Sequence, residues 1–206
     1  MGFGICFFAN TLLLFDIFGT EVFAFALFGY GFALLMASDR RFKLGALFAG
    51  LAITPSLFKL FNTTRIIDLS NEPELNLIIH IAISVFMLLM YSVLFIGVKK
   101  IAAEGGDLKL SKQSSWVMRI TFTVLILYST AQILSLEFFN VDSSVLSALG
   151  ITLILRYIML IINTVYLYFC YATITTPQLL KKEQKSDIEY ELKQKKKKEK
   201  NDSEEE

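Results

Sequence analysis

The chain has 206 residues, 54% of them hydrophobic, with 19 Phe, 3 Pro and a formal net charge of +1. A water-soluble domain of this size lacks the interior to bury so many large apolar side chains, and a net charge near zero offers no footing for a nucleic-acid partner. A single His excludes a two-His metal site, and two cysteines, Cys6 and Cys170, both inside apolar blocks, make no disulfide framework.

In chain order, the first block is Met1–Phe15, apolar but short. At 1.5 Å per residue it covers about 22 Å, less than a bilayer core of about 30 Å. Asp16 and Glu21 follow, with Gly19 between them, and this predicts a tight turn joining two helices. The Ala24-Phe25-Ala26 triplet imitates a signal-peptidase site, but no Lys or Arg precedes the first apolar run, so a retained membrane segment is expected. Five clear spans are predicted, at Glu21–Ala37, Leu44–Phe61, Leu77–Val98, Trp116–Phe138 and Val145–Thr175. In lipid each must be helical, because only a helix satisfies its own backbone polar groups within one segment. The fold class is therefore all-α, an integral membrane helical bundle of five clear transmembrane helices plus a short N-terminal apolar helix. Residues 1–176 form the membrane domain. Residues 177–206 form a charged tail, disordered or partly helical by composition.

Loop charges orient the bundle. Arg40, Arg41 and Lys43 lie in one loop; Lys99, Lys100, Lys109 and Lys112 lie in "KKIAAEGGDLKLSKQSS"; the tail is rich in Lys. The alternate loops, Asn62–Asn76 and Asn140–Ser144, lean acidic. Lys and Arg mark the cytoplasmic side. The expected localisation is a cell membrane, crossed several times, with a cytoplasmic C-terminus and the Asp16–Glu21 turn outside. The expected partners are the bilayer itself, anionic inner-leaflet lipids for the Lys-rich tail, and a protein or small molecule that the residues do not specify.

Three patterns stand out within the spans. Gly29, Ala33 and Ala37 recur every fourth residue, as do Gly45 with Ala49 and Ala46 with Gly50, predicting a close helix–helix contact between the second and third apolar segments. Pro55 should kink the third. A polar stripe, Thr121, Tyr128, Gln132 and Ser135, follows helical spacing, so that face turns away from lipid. Finally, Arg156 interrupts "GITLILRYIMLIINTVYLYFC", sharing one face with Asn163 and Cys170. A guanidinium stays charged and needs a carboxylate, carbonyls or water. Glu21, His80 and Glu137 fall at its depth, which makes Glu21, His80, Glu137 and Arg156 the candidate polar cluster. Depth also nominates Glu21 as the acid that holds Arg156, with Asp16 at the aqueous boundary.

No H-E-x-x-H, phosphate-binding glycine loop or G-x-S-x-G elbow is present, and no nucleophile is fixed beside His80 or Glu137. The residues call for no metal, cofactor or catalytic group.

The opening pieces "MGFGICFFAN", "FDIFGTE", "LFGYG" and "DRRFKLGAL" resemble a group of uncharacterised multi-pass membrane proteins of clostridia and related Firmicutes. Asp16 matches the first acid of that group's Asp-Ile-Leu-Pro-Asp-like turn; Glu21 sits one residue from the second, and Gly19 replaces the proline. The resemblance covers about the first 45 residues. It implies a bacterial membrane setting and an N-terminal hairpin, and carries no activity. Three function classes follow from the residues: a non-enzymatic membrane protein with an outward-facing polar site; a small-molecule transport component acting as a substrate-binding membrane subunit; and an intramembrane enzyme, for which the least speaks.

Overall fold

The computed structural model describes residues 2–15, 19–67, 72–137 and 143–175; the side chains of 73, 135–137, 143–148 and 175 are outside that description. Asp16, Asn140 and the tail 177–206 therefore lie outside it, as do the side chains of Ser135 and Glu137. Among the described residues the chain is all-helical: α1 (Gly2–Leu13), α2 (Glu21–Leu35), α3 (Phe42–Thr63), α4 (Pro73–Glu104), α5 (Leu108–Glu137) and α6 (Ser143–Cys170), the last running into a π-helical turn at Tyr171–Thr175.

Among the described residues four helices are long and apolar enough to cross a membrane: Phe42–Thr63, Glu74–Glu104, Leu108–Leu134 and Leu149–Ile174. The expected fifth clear span at Glu21–Ala37 is corrected. Its helix, α2, has 15 residues and covers about 22 Å, and α1, with 12, covers about 18 Å. Both fall short of a core of about 30 Å. Gly19, at φ +70, breaks the chain before α2, and a turn at Met36–Ser38 ends it. The polar stretch Lys99–Ser115 is also largely helical, with only Gly105–Asp107 forming a turn between α4 and α5. Lys, Glu and Gln propagate helix well in water, so these helices outrun the apolar blocks that mark them.

Each helix packs on its neighbours in sequence, and α6 closes onto α1, so the six form a ring. The buried positions explain the closure. In α1 they are Gly2, Phe3, Cys6, Ala9, Asn10 and Leu13; in α2, Glu21, Ala24, Phe25, Phe28, Gly31, Phe32 and Leu35. In α6 they include Arg156, Met159, Leu160, Asn163, Tyr166, Leu167 and Cys170. All three runs step by three or four residues, one helical face each. Aromatic rings fill the middle: Phe28 stands edge-on to Tyr91 at 6.0 Å, Tyr91 stacks on Phe95 at 5.7 Å, and Phe95 meets Tyr166 at 5.8 Å. Such pairs add about 0.5–1.5 kcal/mol each beyond burial. Among the described residues these rings lie in one continuous buried core.

The close helix–helix contact is partly where the spacing put it. Gly29 lies against Ala49, and Gly45 against the Phe32 ring. Ala33, Ala37 and Gly50, however, are exposed. A closer approach for α2 is to α1, where a Cβ on Gly31 would stand 2.7 Å from Cys6 Sγ and one on Gly2 would stand 2.9 Å from the Gly31 carbonyl. At the end of the bundle that carries Arg41 and Lys43, the α2–α3 turn is fastened to α4. Asp39 accepts the Arg41 backbone N–H at 2.9 Å and pairs with Lys100 at 3.1 Å. This end is the basic end below.

Candidate functional site

Glu21 opens α2, so its carboxylate sits where four backbone N–H groups of that helix are unpaired and the helix dipole favours negative charge. The turn before it is tied down by the Thr20 hydroxyl, within 3.0 Å of the Leu12 carbonyl and 2.9 Å of the Phe15 carbonyl. Glu21 is 1% exposed. Two cations converge on one of its oxygens. Arg156 Nη2, from α6, donates to Glu21 Oε1 at 3.0 Å; Lys59 Nζ, from the last turns of α3, stands 3.0 Å from the same atom. Taking these charges out of water costs several kcal/mol each, which mutual attraction repays only in good geometry.

Arg156 is held from a second side by α5. Its guanidinium carbon lies 5.0 Å from the centre of the Tyr128 ring, and Nη1 donates to the Tyr128 hydroxyl at 3.3 Å. Gln132 Nε2 donates to that hydroxyl at 2.8 Å. One tyrosine thus offers Arg156 both a ring face and an oxygen. His80, half-buried on α4, lies within electrostatic range of Lys59, Glu21 and Arg156. The cluster is therefore drawn from α2, α3, α4, α5 and α6. It does not sit at the tips of the longer helices: α4, α5 and α6 continue past His80, Tyr128 and Arg156 by about 10, 14 and 20 Å of helical rise.

Toward the basic end lies an uncharged layer. Asn10 Nδ2 donates to the Leu160 carbonyl at 2.9 Å and to Thr164 Oγ1 at 2.7 Å, and Asn10 Oδ1 accepts the Tyr91 hydroxyl. The Thr121 hydroxyl lies 3.0 Å from Asn163 Oδ1 and 2.9 Å from the Val117 carbonyl. Asn10, Thr121 and Asn163 are all fully buried. In an apolar surround such groups are costly without partners, so the network pins α1, α4, α5 and α6 in one register.

Of the sequence-predicted cluster, Glu21 and Arg156 are in contact and His80 lies within electrostatic range of both, while the Glu137 side chain lies outside the described residues. Of the stripe, Tyr128 and Gln132 join the cluster, Thr121 belongs to the layer below together with Asn163 from the Arg156 face, and the side chain of Ser135 is outside the description. Lys59, Asn10 and Tyr91 were not anticipated. Lys59 carried a signal: a lysine at the acidic end of a span runs against the usual charge bias. Asn10 carried one too, as a polar residue spaced with Cys6 and Leu13 on one helical face. No group of three His, Cys, Asp or Glu that would hold a metal occurs among the described residues. No protein-family model, no curated protein and no solved structure matches this chain.

Proposed function

We propose that this chain is a non-enzymatic, multi-pass membrane protein of a bacterial cell membrane, with its basic end in the cytoplasm and the Glu21 cluster serving as an outward-facing site for a small polar solute. The observation that carries the reading is the convergence of Lys59 and Arg156 on one buried Glu21 oxygen. Ionisable groups within membrane segments are expensive and by default mark a functional site. Helices α4, α5 and α6 run on beyond the cluster, with the Tyr128–Gln132 pair held at its side. The alternation of basic and acidic loops supports the orientation, and the N-terminal resemblance supports the bacterial setting. The chemistry of the cluster favours a solute that carries charge, because an ionic ligand exchanges ion pairs with Glu21, Lys59 and Arg156 in place of water.

The experiment is thermal stability of the purified protein in detergent, measured against anionic, cationic and zwitterionic small solutes. At least one class should raise the midpoint of the wild type and leave Tyr128→Phe/Gln132→Leu less affected. If no class stabilises the wild type, the site reading fails.

A second reading, a transport component, is favoured by the buried polar layer of Asn10, Tyr91, Asn163 and Thr121, which continues from the cluster toward the basic end. Uptake of the stabilising solute into proteoliposomes separates it from simple binding.

A further inference from the structure

At the basic end α4 and α5 run past the apolar blocks as helices, and two cavities open side by side between them. One, of about 370 Å³, is lined by Arg41, Lys99 and Lys100 above an apolar floor that includes Ile96 and Met118. Its neighbour, of about 270 Å³, is lined by Lys112, Arg119 and Trp116. The two share Lys99, Ser111 and Ser115, and so adjoin as one crevice. Among the described residues no carboxylate lies within ion-pair distance of Lys99, Lys112 or Arg119, whereas Lys100 is engaged by Asp39 and Glu104. The crevice thus keeps uncompensated positive charge, with serine hydroxyls between the cations.

We propose that this crevice binds the headgroup of an anionic phospholipid, with the phosphodiester between Lys99 and Arg119 and an acyl chain along the Ile96–Met118 floor. Charge complementarity selects the anion: several cations and hydroxyls converge, which suits a phosphate's acceptor oxygens. The apolar floor selects a lipid over a soluble phosphate. Ile96 is 42% exposed and lies beside the charged lip, so the crevice passes from polar to apolar as a lipid does. Trp116, 60% exposed at the same level, is the residue type that collects at the membrane–water boundary. The site is separate from the Glu21 cluster, at the other end of the bundle, and does not depend on the solute reading.

The test is retention of phosphatidylglycerol over phosphatidylcholine by the full chain, read by native mass spectrometry after mixed-lipid exchange. Wild type should hold phosphatidylglycerol preferentially. Lys99→Gln/Arg119→Gln should hold it about 30-fold more weakly, which corresponds to about 1 kcal/mol of surface attraction lost per cation. Lys43→Gln, on the same end but outside the crevice, should match wild type. Ser115→Trp keeps every charge and fills space where the two cavities adjoin, so it too should lose retention, which guards against a charge variant that fails to fold. Equal losses in Lys43→Gln and Lys99→Gln/Arg119→Gln would mean diffuse surface charge and overturn the site. Wild-type retention in Ser115→Trp would do the same. Displacement of the lipid by millimolar inorganic phosphate or glycerol phosphate would reassign the crevice to a soluble anion and overturn the lipid assignment.

Discussion

Arg156 and Glu21, 135 positions apart, meet at 3.0 Å inside the bundle, and Lys59 shares the same carboxylate oxygen. The arrangement is unequal. Removing either cation leaves Glu21 with the other, while removing Glu21 leaves two cations facing one another. Glu21→Gln should therefore cost the most, about 3–5 kcal/mol, as when a buried pair is broken on one side. Arg156→Met and Lys59→Met should each cost less. Glu21→Gln with Arg156→Met should be milder than the sum of the two. Thermal or denaturant stability in a double-mutant cycle measures this; strictly additive single changes would show that the two side chains do not couple.

Gly31 and Ala49 are points of close approach, and Ala33 is not. Gly31→Leu must displace Cys6 Sγ or part α1 from α2, and Ala49→Leu must part α3 from Gly29. Overpacking of this kind costs about 1–3 kcal/mol. Ala33→Leu, on an exposed surface, should be neutral. If Ala33→Leu lowers the melting temperature as much as Gly31→Leu, the α1–α2 seam is not the tight one.

Two glycines hold positive φ, Gly19 at +70 and Gly106 at +82. A Cβ at Gly19 would stand 2.2 Å from Leu60 Cδ1, one residue from Lys59, whereas at Gly106 nothing lies within 4 Å. Gly106→Ala should carry only the backbone cost of about 1–2 kcal/mol. Gly19→Ala should cost more, and should also disturb Lys59. Comparable melting temperatures for the two variants would refute the contact.

Asp39 fastens the α2–α3 turn to α4. The Arg41 backbone N–H, then Lys100, hold its carboxyl below the usual range. A folded pKa lower than the unfolded one adds stability at pH values above about 3.9 and loses it as pH falls through the folded value. Lys100 is 43% exposed, so the ion pair itself contributes less than about 1 kcal/mol. Wild type should lose more stability than Asp39→Asn on acidification below pH 4; parallel pH profiles would exclude the fastening.

Orientation is open to direct labelling. Lys43 and Arg65 are exposed at opposite ends, and the native Cys6 and Cys170 are buried. In intact cells an impermeant thiol reagent should label Arg65→Cys and spare Lys43→Cys. The reverse pattern inverts the protein.

The helical class and the meeting of Glu21 with Arg156 were legible because they rest on strong terms. Long apolar blocks admit one backbone solution in lipid, and a charge at membrane depth needs a counter-charge at the same depth. Lys59 was harder to assign, since a cation near a helix end is equally at home in the headgroups. The small-residue stripe misled at Ala33 and Ala37 for a different reason. Spacing by four says that a helix is able to be approached closely, not that a neighbour does so; the neighbour of α2 at its narrowest point is α1, through Gly31. The count of spans differs at α2 because the Glu21–Ala37 block, its ends foreseen, is apolar but short, and the helix it forms has 15 residues, too few for a core of about 30 Å.

The ring has an implication for assembly during synthesis. A chain emerging from its N-terminus makes α1 first and α6 after the other five helices, yet α6 supplies one wall of the seat for α1. Until then Asn10 lacks the Leu160 carbonyl and Thr164, Glu21 has Lys59 but not Arg156, and the open ring exposes the edge of its aromatic core. The arrival of α6 satisfies all three in one step. Closure is thus a late checkpoint, and a nascent chain held before α6 would offer an unsealed polar seam to whatever insertion factor or quality-control protease patrols the bilayer.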